Sequence, residues 1–211
     1  MLWLWASTIL CWAEPTFRLA PMSTDAVAAQ REKAKESGDL QASWACHVFV
    51  EKIDFCFILD TSEENMPYVT EGMLQDLQLT KSNLWDWMEK NGQSYVNVTR
   101  YSQEKVDGVD GYYFASTYLD GRDALGWFYP EKLQKMVGGE VLAAQPDRGV
   151  FLFWNHQMPE LTRAVTIGVK EVYKQAAHPI SPYVYIWNGQ SWQVWGEAVE
   201  KESIDHKEKK E

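Results

Sequence analysis

Residues 23–37, STDAVAAQREKAKES, have the composition of a helix, with Ser23 or Thr24 to cap its start and Gly38 to stop it. Its apolar face is only alanines and Val27, so the pattern predicts a helix lying loosely on the body. Residues 44–50 and 53–59 are aromatic and β-branched and read as a strand pair; the polar stretch from Asp60 to Pro67 ends it. A short helix is predicted over Glu71–Gln78. A second follows over 79–91, where Thr80 caps, Leu79 staples onto Leu84, and Leu84, Trp85 and Met88 share a face. Residues 93–99 and 112–119 read as strands, and ALGWFY after the 120–123 turn reads as a strand-like approach. Pro130 suits a first helical position, with Leu133, Met136 and Val137 as the stripe and Gly138-Gly139 as the stop. Residues 140–145 and 149–154 flank Pro146-Asp147-Arg148, a predicted hairpin turn. Pro159 opens the best helical pattern, with Leu161, Val165, Val169, Val172 and Ala176 on one face. Lys170, Lys174 and His178 suit its C-terminal dipole, and Pro179 stops it. Residues 182–187 and 191–195 surround Asn188-Gly189, the signal of a hairpin with a loop of two or three residues.

Hairpin-sized strand pairs outnumber crossover helices in this order. The predicted fold class is therefore α+β, a mainly antiparallel sheet with three or four packed helices. Residues 1–22 are expected to be an apolar N-terminal extension or weak signal peptide. The run Met1–Ala13 is short of the roughly 20 residues that span a bilayer, and it lacks the basic start of an export signal. Met22 is an alternative start. Residues 23–43 read as a helical lead-in, 44–196 as one α+β domain, and 197–211 as a charged flexible tail. Localisation in the cytoplasm is favoured, with export or anchoring if residues 1–13 act as a signal.

With 211 residues, 45% hydrophobic and 24% charged, the chain can bury a core without metal or disulfide staples. Twenty basic against thirty acidic residues leave a charge of −10, which disfavours nucleic acid and anionic membranes as partners. The partner class this leaves is another protein.

Cysteines stand at 11, 46 and 56. A two-residue turn at Glu51-Lys52 places Cys46 opposite Phe57 and Cys56 opposite His47, on opposite faces of the sheet. A three-residue turn would bring both to one face, but diagonally. The expectation is two reduced, half-buried thiols.

The succession YYFASTYLDGRDALGWF, then EVLAAQPDRGVFLFW, a long helix and HPISPYVYIWNGQSW resembles the uncharacterised bacterial YtpQ-like family over about residues 70–196. The matching pieces are Pro146-Asp147-Arg148 and Pro179-Ile180-Ser181; Gly149 stands where the family pattern has Asp. The resemblance implies no particular reaction and carries over no catalytic residue.

Candidate chemistry is sparse. His156 follows the strand GVFLFW and has Glu160 four residues on, a candidate base and orienter, although Pro159 argues against helix between them. Asp107 and Asp110, with Asp120 and Asp123, form a candidate hard-cation cluster without the spacing of an EF-hand loop; ordinary Asp-Gly turn chemistry is the favoured account of them, and no metal is expected. Arg122, Asp147 and Arg148 sit in turns, where an Arg–Asp pair between loops or a partner contact is the functional reading. His47, His178 and His206 have no ligand spacing, and Ser181 has no identifiable base. Nucleophile-elbow, zincin, phosphate-loop and dinucleotide fingerprints are all missing. Asn97-Val98-Thr99 is a formal sequon.

Eleven tryptophans and ten tyrosines are many for this length, and the last hairpin concentrates them. Tyr183, Tyr185 and Trp187 alternate onto one face, with Trp192 and Val194 set against Gln193 and Trp195 on the return strand. Either both faces are covered or one presents aromatic side chains to a partner. The favoured function is a non-catalytic interaction or regulatory module using such a surface, with Tyr183, Trp187, Trp192, Trp195, Arg122 and Arg148 as binding residues. A small hydrolase-like or metal-dependent enzyme, and an exported or membrane-anchored accessory protein, are the alternatives. No cofactor is expected.

Overall fold

The computed structural model describes residues 17–59, 67–86, 90, 100–116 and 122–198. Strands β1 (Phe17–Ser23), β2 (Cys46–Val50) and β3 (Ile53–Leu59) form a three-stranded sheet in the order β1-β3-β2. Strands β4 (Ser102–Glu104), β5 (Tyr113–Ser116), β6 (Val141–Asp147), β7 (Val150–Asn155), β8 (Tyr183–Trp187) and β9 (Trp192–Glu197) form a six-stranded one, ordered β4-β5-β7-β6-β8-β9. Every pairing is antiparallel. Helices α1 (Thr24–Glu36), α4 (Pro130–Val137) and α5 (Pro159–Gln175) join the strands, with a short α2 (Glu71–Asp76) and with α3 described over 81–86. This is the mixed α+β architecture that the pattern predicts.

The period-two alternation of the strands sorts the side chains into three cores. Phe17 and Leu19 of β1 and Ile53, Phe55 and Phe57 of β3 meet Val141, Ala143, Phe151, Phe153 and Tyr185 of the large sheet in one core between the two sheets. The intervening positions face outward. On the large sheet, Leu142, Leu152, Trp154 and Val184 lie under Leu161, Val165 and Val169 of α5, where the Trp154 indole N–H donates to Thr162 Oγ1 at 3.1 Å. On the small sheet, Cys46 and Cys56 lie under Val27 of α1. The layers run α1, small sheet, large sheet, α5.

Capping follows the sequence closely. Ser23 accepts from the Ala26 N–H, Thr70 from that of Met73 and Thr80 from that of Asn83. Gly138 closes α4 in the left-handed conformation at φ +74°. Met136, expected on the buried stripe of α4, is exposed, because the sheet contacts only the Leu133 side of the helix.

Several expectations are corrected. Residues 17–23 are not extension or lead-in but the edge strand β1, paired with β3 along its whole length, and Phe17, Leu19 and Ala20 are buried. Pro21 hid the strand; its missing N–H is harmless on an edge. Residues 122–128 form a 3-10 helix rather than a strand-like approach, wedging Ala124, Leu125 and Trp127 between the sheets. The β6–β7 turn is Arg148-Gly149, with Pro146 and Asp147 inside the strand beyond a register shift. The last hairpin closes over four residues, 188–191, where the Asn188 side-chain oxygen accepts from the N–H groups of Gln190 and Ser191. The predicted strand over 93–99 lies outside the described residues, as do residues 117–119 of the next.

The cysteines are the most consequential correction. The two-residue turn at Glu51-Lys52 is present, with Val50 opposite Ile53. A bulge at Phe49 then slips the register by one residue and brings Cys46 opposite Cys56. The two form a disulfide with Cα atoms 3.9 Å apart. Phe57 N–H donates to the Ala45 carbonyl, so the adjoining 46/56 pair is of the non-hydrogen-bonded kind, where opposed side chains come closest.

Candidate functional site

Trp127 is the centre of the aromatic core. It is 1% exposed and packs edge-on against Phe151, Tyr185 and Trp192, with ring centroids 5.2, 5.3 and 4.8 Å away. Its indole N–H donates to Gln145 Oε1 at 3.1 Å, and its carbonyl accepts the Trp192 indole N–H at 2.8 Å. Both donors are thereby satisfied out of water.

Of the predicted aromatic surface, Trp192 is therefore core, at 7% exposure. Tyr183 and Trp187 are half-buried against the same core. Only Trp195 stands out, at 44%; alternation along β9 sets it on the face opposite Trp192 and Val194, and it is the extra residue of the bulge between the Val184 and Tyr185 pairings. Its ring meets that of His156 edge-on, with centroids 5.9 Å apart.

His156 Nδ1 lies 3.3 Å from Glu140 Oε2, a carboxylate brought alongside by the β6–β7 pairing. Glu160, the expected partner, is an exposed residue of the first turn of α5, and no bond joins it to His156. Register decides this: the His156 N–H donates to the Glu140 carbonyl at 2.8 Å and extends the ladder past Asn155. Glu140 had no signal in the sequence beyond its place at the start of a predicted strand.

Asp107 and Asp110 are exposed turn residues, and among the described residues no three His, Cys, Asp or Glu side chains converge as a metal site would need. Arg122 begins the 3-10 helix, and its side chain lies outside what is described. Arg148 spans the two sheets, its Nη1 donating to the Tyr68 hydroxyl at 3.4 Å. Asp147 does not pair with it but accepts from the N–H groups of Gly149 and His178. The two segments carrying the family resemblance lie side by side: Ile180 N–H donates to the Pro146 carbonyl and Ser181 N–H to that of Gln145.

A relay missed by sequence reasoning joins the sheets. Ser181, fully buried, accepts from the Tyr183 N–H at 3.1 Å and lies 2.7 Å from the Tyr185 hydroxyl. That hydroxyl donates to the Glu51 carbonyl at 2.7 Å. The phenol has one proton, so Ser181 must donate to Tyr185. Burial holds the phenol above its usual range, outweighing the Ser181 hydrogen bond that lowers it. It remains a donor across the ordinary pH range. The lone buried carboxyl in the described core is Asp54, 1% exposed on the outer face of β3, where it accepts from Thr24 Oγ1 at 3.1 Å. Desolvation raises it, partly countered by that bond and by the Arg31 and His47 charges. Neither buried group has a second titratable partner in bonding contact, so neither makes an acid–base pair.

No family model matches the chain, and neither does any curated protein or solved structure.

Proposed function

We propose that this chain is a non-catalytic protein-interaction module whose contact surface is centred on Trp195. The observation that carries the reading is the exposure of that ring. In a hairpin whose other large aromatics are buried or half-buried, one tryptophan stands exposed beside a histidine–glutamate pair. Exposed tryptophan is uncommon on surfaces without a partner and is enriched among residues that dominate interface energy. The reading narrows the aromatic surface expected from sequence to one residue of the set. Membership in the YtpQ-like family remains part of the proposal and rests on the sequence resemblance of the 146–148 and 179–181 segments.

A photoreactive benzophenone side chain at position 195, in cells producing the full chain, tests the reading, with the exposed Glu131 position as control. One discrete adduct from 195, absent at 131, is expected. Excess wild-type chain should compete it away and Trp195→Ala should not. Identical adducts at both positions, or equal competition by the alanine variant, would refute it.

A second reading, an exported accessory protein, is favoured by the Cys46–Cys56 disulfide, since structural disulfides persist in oxidising compartments. No helix among the described residues is long and apolar enough to cross a membrane.

A further inference from the structure

The disulfide sits beneath a cover made by four side chains from separate parts of the fold. Val27 of α1, Met22 of β1, Trp44 and Tyr68 pack over the two sulfurs, and Cys46 and Cys56 are 3% and 0% exposed. Trp44 and Tyr68 are stacked with centroids 4.3 Å apart. The Tyr68 hydroxyl donates to Met22 Sδ at 3.1 Å and receives Arg148 from the large sheet. On the other side of Trp44, the Gln30 side chain ties α1 to the chain: Oε1 accepts from the Trp44 N–H at 3.0 Å and Nε2 donates to the Ala42 carbonyl at 2.8 Å. Strand β2 is itself an edge, bonded to β3 alone and interrupted by its bulge.

We propose that Cys46–Cys56 is a redox-sensitive switch beneath this cover, and that its reduction, by crowding two separated sulfurs under the cover, loosens residues 42–50 and 67–70 while the large sheet stays folded. The inference is independent of the Trp195 reading. In the step itself, a dithiol reductant attacks one cysteine sulfur as thiolate, releases the other cysteine as thiolate and forms a mixed disulfide; its second thiolate then attacks the reductant's own sulfur in that bond and releases the first cysteine. Two electrons and two protons pass to the protein, leaving two cysteine thiols and the reductant as its own disulfide. Sulfurs that shared a bond must then sit at van der Waals separation. Their Cα atoms are directly opposed across a sheet, so neither side chain can turn aside without entering the cover. A filled interior resists such added volume by displacing whichever neighbour is held least. That neighbour is the Trp44–Tyr68 stack with the edge strand below it. The opposite, inner face of β3 is locked by Phe55 and Phe57 in the main core.

Amide hydrogen exchange on the full chain, oxidised and dithiol-reduced, tests this. Exchange over 42–50 and 67–70 should rise about tenfold or more on reduction, with 141–155 unchanged, and should revert on reoxidation. The variant Cys46→Ala/Cys56→Ala lacks both the bond and the crowding sulfurs, so its exchange should stay within about threefold of the oxidised protein. Unchanged exchange on reduction, loss of protection throughout the chain, free thiols in the purified protein, or an alanine variant as open as the reduced wild type would each overturn the proposal.

Discussion

Replacing Tyr185 with Phe removes one oxygen from the middle of the relay that binds the two sheets. The ring stays, and with it the edge contact to Trp127 at 5.3 Å, so the apolar packing term is nearly unchanged. Two hydrogen bonds disappear, one from Ser181 and one to the Glu51 carbonyl, each 2.7 Å in the wild type. Their costs differ. Glu51 is an exposed residue, and its carbonyl can recruit water in place of the phenol. Ser181 is fully buried and keeps its proton with no acceptor beside it. An unpaired buried hydroxyl costs about 1–3 kcal/mol, and a bond replaced by water little. The expected destabilisation is about 1–2 kcal/mol, or a fall in Tm of about 2–8 °C for a chain of this size. Urea unfolding of wild type, Tyr185→Phe, Ser181→Ala and the double variant measures it. Because the double variant removes both partners, it should be more stable than the sum of the singles by at least about 0.5 kcal/mol. A Tyr185→Phe protein as stable as the wild type, or strict additivity, would show that the buried Ser181–Tyr185 hydrogen bond does not contribute to stability.

Two further substitutions probe the small sheet. Asp54 is raised in the folded state by burial. The stability it contributes is fully present below its unfolded value of about 3.9 and is lost as the pH climbs through the raised folded value. Asp54→Asn should therefore gain on the wild type as pH increases from about 4, and be at least as stable at pH 7; unfolding midpoints from pH 4 to 8 that run parallel for the two proteins would contradict this. Lys52 holds φ at +69° in the β2–β3 turn, where its carbonyl accepts the Thr24 N–H. Lys52→Gly relieves the Cβ clash and should stabilise by about 0.5 kcal/mol in urea unfolding after the entropic cost of glycine; a loss of that size would mean the side chain itself contributes.

Much of the architecture was legible along the chain, because it depends on local chemistry. Runs of aromatic and β-branched residues marked β3, β7 and β8, proline opened α4 and α5, and hydroxyl caps began α1 and α3 where expected. Those signals act within a few residues of one another, and burial of one face then follows from hydrophobicity alone. What the sequence could not supply was register and neighbourhood. A single bulged residue at Phe49 converted two thiols on opposite faces into a bonded pair. Which face of β9 is covered was likewise undecided, and the tertiary packing took Trp192 into the core and left Trp195 outside. Glu140 rather than Glu160 is the partner of His156, because the β6–β7 pairing sets residues 140 and 156 side by side while the chain from 156 to 160 is not one helix. Each of these turns on which strands lie side by side, by how many residues they are offset, or which face is covered. That choice is made by the whole core, when residues far apart in sequence bury their surfaces together, and no local window contains it.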